Sequence, residues 1–341
     1  MRQALMVSPG SIEFRDVPVP EVREDQVLVR ITRIGICGSD MHVYHGKHPY
    51  TSYPVVQGHE VAGEVVQKGR RARGVSVGDR VTIQPQVVCG TCYPCRHGQY
   101  HICDNLKVMG FQTTGTASEF FAVDAARVLK LPRGLPFDFG AMVEPLAVGV
   151  HALGRSGPVS GRKVLVLGAG PIGNLAAQAA RGLGAAVVAI TDISDFRLEI
   201  AGRCGIEHRR NASTADIGEF VTGTFGPDKA DLILECVGAN PTVGQAISHA
   251  RKGTDIIIVG VFGEKATVDM GLVQDRELRL IGTLMYQEKD FRAAIRLIEE
   301  EKVTLAPLIT SHFPFSDYLK AYRHIEAHRD STMKVMMDIQ E

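Results

Sequence analysis

The stretch VLVLGAGPIGN, residues 164–174, confines the fold more tightly than any other part of the chain. Its apolar residues run without alternation into a glycine triplet, Gly168, Gly170 and Gly173, and the helix-forming NLAAQAARGLG follows at once. A strand with no polar face must be covered on both sides, which a parallel sheet flanked by helices provides. A glycine triplet alone says little. Between a buried strand and a helix it specifies a turn that lets backbone approach a pyrophosphate, whose charge meets the unpaired amides of the helix N-terminus. The next apolar run, AAVVAITD, ends at Asp192, 19 residues beyond Gly173. A carboxylate there suits the adenosine ribose hydroxyls and would repel a 2′-phosphate, so NAD is expected rather than NADP. The competing reading is a glycine turn that merely packs helix on strand.

The same buried pattern recurs in ADLILECVG and TDIIIVGVFG, the latter a candidate edge for pairing with another copy. Upstream the character differs. Within residues 26–85, VLVRITRIGI, EVAGEVVQKG and GDRVTIQP alternate at strand period, which predicts an antiparallel, barrel-like region. The turn-rich GRSGPVSGRK, 154–163, leads into the first parallel strand, and the tail from about 285 offers a helix, DFRAAIRLIEEEKV, and a last strand, MKVMMDIQ. With 341 residues, two domains are expected. Basic and acidic residues balance at 38 each, so nothing calls for nucleic acid as partner. No apolar run reaches the roughly 18 residues of a membrane span, and MRQALMVSPG lacks the layout of a signal peptide. A soluble, cytoplasmic protein with no membrane partner is the expectation.

Four of the seven cysteines crowd into VVCGTCYPCRHGQYHICDN: Cys89, Cys92, Cys95 and Cys103. Four thiolates at C-x2-C-x2-C-x7-C spacing close a tetrahedral zinc shell and leave no place for substrate, so a structural zinc is expected. An iron–sulfur cluster is the competing occupant. A second set is GICGSDMH and GHEVAGE, with Cys37, His59 and Glu60. Mixed sulfur, nitrogen and oxygen ligands with one open position are what a catalytic zinc needs. In AMVEPLAVGVHAL, Glu144 interrupts an apolar segment, where an unpaired carboxylate costs several kcal/mol; zinc held by Cys37 and His59 would supply its partner.

GICGSDMH, GHEVAGEVV, GDRV, the four-cysteine lobe, EPLAV and VLGAGPIG, in that order along nearly the whole chain, resemble the zinc-dependent medium-chain alcohol dehydrogenases, in the polyol, threonine and sugar-acid branch. The resemblance implies an α/β protein: a GroES-like β-rich catalytic domain from residues 1–145 and 285–341, with the zinc lobe at 86–105, and a doubly wound parallel-sheet Rossmann domain from 146–284. It implies two zinc ions per chain, NAD, and a homodimer or homotetramer. Cys37 and His59 would ligate the catalytic zinc, with either Glu60 or Glu144 as third ligand. Asp40 would orient the histidine ligand, and Ser39 and His42 would relay the proton. Ile172, Arg197, Val259, Gly260 and Val261 would help place the cofactor.

The implied reaction is hydride transfer from a secondary alcohol of a polyol, sugar acid or related hydroxy compound to NAD+. The chain departs from the sorbitol dehydrogenase pattern, with Val43 in place of an aromatic and Leu284 and Met285 where an arginine is expected. Tyr44, His45, Lys47 and His48 offer other polar contacts to a substrate. The alternatives are an L-threonine or simple-alcohol dehydrogenase, a zinc-free reductase, which would lack both ligand sets, and a non-catalytic NAD-binding regulator, which would have lost ligands.

Overall fold

A computed structural model describes residues 1–340 as two compact units, Met1–Glu144 with Ile309–Glu341, and Pro145–Leu308. The first opens with the hairpin β1 (Arg2–Ser8) and β2 (Ser11–Asp16), followed by β3 (Gln26–Ile36), the helix α1 (Gly38–Tyr44), β4 (Glu60–Lys68) and β5 (Arg80–Ile83). A lobe carrying β6 (Gln86–Val87), α2 (Tyr93–Arg96) and β7 (Lys107–Val108) precedes β8 (Phe120–Asp124), β9 (Val128–Lys130) and α3 (Phe137–Ala141). The chain passes to the second unit within the first turn of α4 (Val143–Gly154).

β3 organises the first unit because it is long and its apolar residues face the core: Val27, Val29, Ile31 and Ile34 are completely buried. It pairs antiparallel with β4 and β8. The registers bring Gly35 opposite Glu60, so the end of β3 and the start of β4 lie side by side.

The second unit contains β10 (Lys163–Leu167), α5 (Pro171–Gly182), β11 (Val187–Asp192), α6 (Asp195–Arg203), β12 (His208–Asn211), α7 (Ile217–Phe225), β13 (Leu232–Glu235), α8 (Asn240–His249), β14 (Asp255–Ile258), α9 (Met270–Asp275), β15 (Arg279–Gly282) and α10 (Glu288–Glu299). All six strands are parallel, in the order β12-β11-β10-β13-β14-β15. That is the doubly wound order, reversing beside β10, where such sheets bind ligands at their carboxyl ends. The expected Rossmann architecture is present. β14 is not an edge, however: it lies between β13 and β15. The edge strands are β12 (HRRN) and β15 (RLIG), too polar or too exposed to stand out as apolar runs.

The chain returns to the first unit at Ile309, later than the expected 285. α10 stays with the second unit because buried Asp290 bonds His151 of α4 at 2.7 Å, and Gln178 of α5 accepts the Thr304 amide at 2.6 Å. The tail then adds β16 (Ile309–Pro314), α11 (Tyr318–Ala327) and β17 (Lys334–Asp338). β17 pairs antiparallel with β3, completing a seven-stranded sheet of order β16-β17-β3-β4-β5-β9 with β8 also on β3. It is not wholly antiparallel: β16 and β17 run parallel, with α11 as their crossover.

At the head of β14, buried Asp255 accepts two bonds from Arg279 at 2.5 Å, with Arg162 and Ser156 on the same carboxylate. Burial alone would raise its pKa, but these donors outweigh it and hold the group below the ordinary value of 3.8. A depressed folded-state pKa contributes stability that is present above the unfolded value and lost as pH falls through the folded one. Asp255→Asn is therefore expected to cost about 2 kcal/mol near pH 7 and to flatten the acid limb of stability below about pH 4. Denaturant titrations at both pH values read this; equal losses at pH 7 and pH 3 would contradict it.

Candidate functional site

The carboxyl end of β3 is where chemistry-bearing groups of the first unit gather. Ile36 ends the strand, and Cys37 caps α1; its sulfur faces the Asp40 amide while the Asp40 carboxylate accepts the Cys37 amide at 2.8 Å. On the neighbouring strand His59 and Glu60 are buried, and ligand atoms of Cys37, His59 and Glu60 all lie within 4.8 Å of one another. From the other side β17 delivers Lys334, whose ammonium donates to both Glu60 oxygens at 2.6 and 2.7 Å and to the Ile36 carbonyl at 3.3 Å. Gly35 makes the pairing possible: a Cβ there would lie 2.2 Å from Glu60 Oε2. Burial would push the Lys334 pKa down, but the charges of Glu60 and Cys37 hold it above the ordinary lysine value. Glu144, also buried, stands outside the Cys37–His59–Glu60 group, though its charge acts on Lys334.

Asp40 connects this group to the rest of the unit. Its Oδ1 stands 3.5 Å from His59 Nδ1 and accepts from Gln57 Nε2 at 3.2 Å, and the buried Tyr322 hydroxyl of α11 donates to Gln57 at 2.9 Å. Burial lowers the His59 pKa, but Asp40 and Cys37 outweigh it and raise the value well above 6.5. The Asp40 and Glu60 carboxylates and the Cys37 sulfur thus meet beside His59, with Lys334 paired to Glu60. A soft sulfur, an imidazole oriented by a carboxylate and a hard oxygen are the donor set of zinc, and the surplus negative charge fits a cation.

Ser39 and His42 lie three residues apart on α1, Ser39 half-buried and His42 exposed, with no hydrogen bond between them among the described residues. Of the polar residues after His42, Tyr44 is buried against Tyr322, His45 stands 3.7 Å from Glu326, and Lys47 is exposed. His48 instead stacks on Phe111, which in turn touches His59. Asp138, His312 and Asp338 also come within 4.8 Å of one another, but Arg33 pairs with both carboxylates at 2.7 and 3.0 Å and already supplies the positive charge.

In the lobe, Cys89, Cys92, Cys95 and Cys103 converge, with sulfurs 3.5 Å apart for Cys89–Cys103 and 3.7 Å for Cys92–Cys103. Four sulfurs at about 2.3 Å around a tetrahedral ion stand about 3.8 Å apart, so the set fits zinc. Amides of Cys89, Cys92 and Asn105 donate to the sulfurs. Hydrogen bonds from Thr91 lower the Cys89 pKa to about 5, whereas burial and the neighbouring sulfurs push Cys95 up to about 12. Without a cation, the cluster cannot carry four negative charges.

In the second unit Gly168 takes φ +100°, Gly170 caps α5 facing open space, and a Cβ on Gly173 would stand 1.9 Å from the Gly168 carbonyl. The triplet thus supplies a left-handed turn, an open approach and a close helix–strand contact. Ile172 is half-exposed in the first turn of α5. Asp192 accepts the Ala169 amide at 2.7 Å and the Ser194 amide at 2.9 Å, tying the end of β11 to the glycine turn, and Arg197 stands 3.8 Å away. After β14, the Val259 and Gly260 amides donate to the Glu235 carbonyl, and Val261 is exposed.

Four residues of these sites carried no expectation: Lys334, Gln57, Tyr322 and Glu235. Glu235, fully buried at the end of β13, accepts from the Val237 and Gly238 amides and the Thr242 hydroxyl through Oε1 and so fixes the turn beside Gly260. Its only sequence signal is an acid at the end of the buried run LILE; the other three act through partners far away in the chain.

Comparison with known proteins agrees with the geometry. The family models for the alcohol dehydrogenase GroES-like domain and for zinc-binding dehydrogenase match residues 23–133 and 171–300. L-threonine 3-dehydrogenase of Pyrococcus horikoshii is 32% identical, covering 98% of this chain and 97% of its own. The 2-dehydro-3-deoxy-L-galactonate 5-dehydrogenase of Pseudoalteromonas atlantica is 34% identical, over 92% and 91%. An alcohol dehydrogenase of Escherichia coli CFT073, solved with NADH, superposes with a TM-score of 0.92 at 29% identity, over 99% of each chain.

Removing one partner of a buried ion pair strands the other charge. Lys334→Met is expected to destabilise the chelator-treated protein by about 3–5 kcal/mol, and adding Glu60→Gln to recover most of that loss. Denaturant unfolding of the three proteins reads this, and a Lys334→Met midpoint equal to wild type would contradict it.

Proposed function

The chain belongs to the zinc-dependent medium-chain alcohol dehydrogenases, and from that premise we propose that its substrate is a sugar acid or related polyhydroxy compound, oxidised beside a zinc held by Cys37 and His59. It is a zinc-type alcohol or polyol dehydrogenase that transfers hydride from a secondary alcohol to NAD+. The observation that carries the proposed site is the convergence of Cys37, His59 and Glu60 within 4.8 Å, with Asp40 behind His59.

Zinc held here would supply a Lewis acid that eases loss of the substrate hydroxyl proton near neutral pH, and NAD+ would supply the hydride acceptor. Cys37 and His59 provide two ligands. Either Glu60, which lies in the donor group but carries Lys334 on both oxygens, or Glu144 would be the third. Asp40 keeps His59 oriented, as carboxylates commonly do for metal-binding imidazoles. Ser39 takes the hydroxyl proton and His42, exposed to water, passes it on. In the second unit the amides after Gly168 would receive the pyrophosphate and Asp192, with Arg197 beside it, would receive the adenosine ribose. Ile172 on α5, and Val259, Gly260 and Val261 on the turn that Glu235 holds, would help place the cofactor. A second zinc in the four-cysteine lobe stabilises the catalytic unit without touching substrate.

The absence of the sorbitol-type contacts at Val43, Leu284 and Met285 turns the substrate reading away from sorbitol; relatives named for a sugar acid and for sorbitol are equally similar at 34% identity, so the aldonate-like reading rests on those positions. A non-catalytic regulator is disfavoured because every ligand of both metal sets is retained. Four cysteines gathered at metal-ligand spacing suit a reduced, cytoplasmic compartment. The short edge strand β15 suits pairing of copies into a homodimer or homotetramer.

An NAD-coupled screen of aldonates, polyols, threonine and simple alcohols on zinc-replete protein is expected to favour a polyhydroxylated substrate; a preference for simple primary alcohols would overturn the substrate assignment. Cys37→Ser should lower kcat by about a thousandfold while NADH still binds, as read by cofactor fluorescence. Unchanged turnover would place the chemistry elsewhere.

A further inference from the structure

His48 is a loop residue with an unusually constrained ring. Its imidazole stacks on Phe111 with ring centroids 4.7 Å apart and planes 18° from parallel. Phe111 is itself buried, held by its amide on the Val108 carbonyl at 3.1 Å, and its ring lies 5.0 Å from that of His59. The Thr51 hydroxyl bonds His48 Nδ1 at 2.7 Å. One face and one nitrogen of the imidazole are thus fixed, one aromatic ring away from the zinc ligand His59. Nε2 has no hydrogen-bond partner among the described residues, and the side chain is half-buried.

An imidazole merely parked on a surface loop needs neither clamp. Fixing its plane and one nitrogen spends side-chain freedom and leaves a single oriented polar atom, which is the arrangement of a recognition group. Whichever way the Thr51 hydroxyl points, Nε2 is left as either a donor or an acceptor, and an alcohol hydroxyl satisfies both. Burial and the neighbouring charges of His42 and His59 push the His48 pKa below its ordinary value, leaving a neutral ring suited to a hydroxyl rather than a carboxylate.

We propose that His48 is a specificity-determining residue that hydrogen-bonds, through Nε2, a second hydroxyl of the substrate at a carbon beyond the one oxidised. The enzyme therefore selects polyhydroxylated secondary alcohols over those with a single hydroxyl. The proposal rests on the reading of Cys37 and His59 as the reacting centre.

The test compares wild type, His48→Ala and His48→Gln on the best polyhydroxylated substrate from the panel and on 2-butanol, with NADH affinity measured by fluorescence. For the polyhydroxylated substrate, His48→Ala is expected to lower kcat/KM by about ten- to a hundredfold, mostly through KM, with partial recovery in His48→Gln. For 2-butanol kcat/KM should stay within about twofold, and NADH affinity should not change. Equal losses on both substrates would mean a structural role and overturn the proposal, as would no loss on either. A wild-type enzyme that prefers 2-butanol would instead defeat the substrate reading beneath it, and this assignment with it.

Discussion

The ion pair between Glu60 and Lys334, laid across Gly35, is the contact on which the catalytic unit depends. Three strands meet there in one register: Gly35 lies opposite Glu60 on β4 and opposite Met336 on β17. Side chains two residues apart on a strand share a face, so Lys334 and Glu60 reach toward each other over the position where Gly35 has no side chain. Any residue but glycine would drive the carboxylate away, since even a Cβ would stand 2.2 Å from it. Once the strands are locked this way, Cys37 must emerge beside His59.

The same contact explains why the unit is built from both ends of the chain. The tail delivers the cation that neutralises Glu60 and, through Tyr322, the hydroxyl that holds Gln57 and thereby Asp40. Burial raises the Tyr322 pKa well above 10, so it stays a donor. Buried charges of this density are tolerable only when each is paired and hydrogen-bonded. Here Glu60 is paired with Lys334, and Asp40 accepts from the Cys37 amide and the Gln57 side chain beside His59. In the second unit carboxylates fix backbone instead: Glu235 through Oε1 and Asp192 through both oxygens accept backbone amides and so shape the turns around the glycine triplet.

What was legible in the sequence is what depends on short spacing. The glycine triplet, the four cysteines, GICGSDMH and GHE each lie within a few residues, and the parallel strands at the centre of the second unit are uninterrupted apolar runs. The edge strands β12 and β15 escaped because an edge has no second partner to demand apolar residues, and TDIIIVGVFG, apolar enough to suggest self-association, is apolar because it is interior. Lys334 and Tyr322 could not be seen at all: their partners Glu60 and Gln57 are 274 and 265 residues away, and nothing local distinguishes a lysine opening a strand from a solvated one. The boundary at Ile309 was missed for a similar reason, since α10 is assigned by its contacts with α4 and α5 and not by its own pattern.

Anomalous diffraction at the zinc edge, from crystals of the zinc-replete protein, measures the central claim most directly. The account requires one peak amid Cys89, Cys92, Cys95 and Cys103, and another at about 2.3 Å from Cys37 Sγ and about 2.1 Å from a His59 nitrogen, with Lys334 still bonded to a Glu60 oxygen. A single peak in the four-cysteine lobe, with the space between Cys37 and His59 holding no metal, would contradict it.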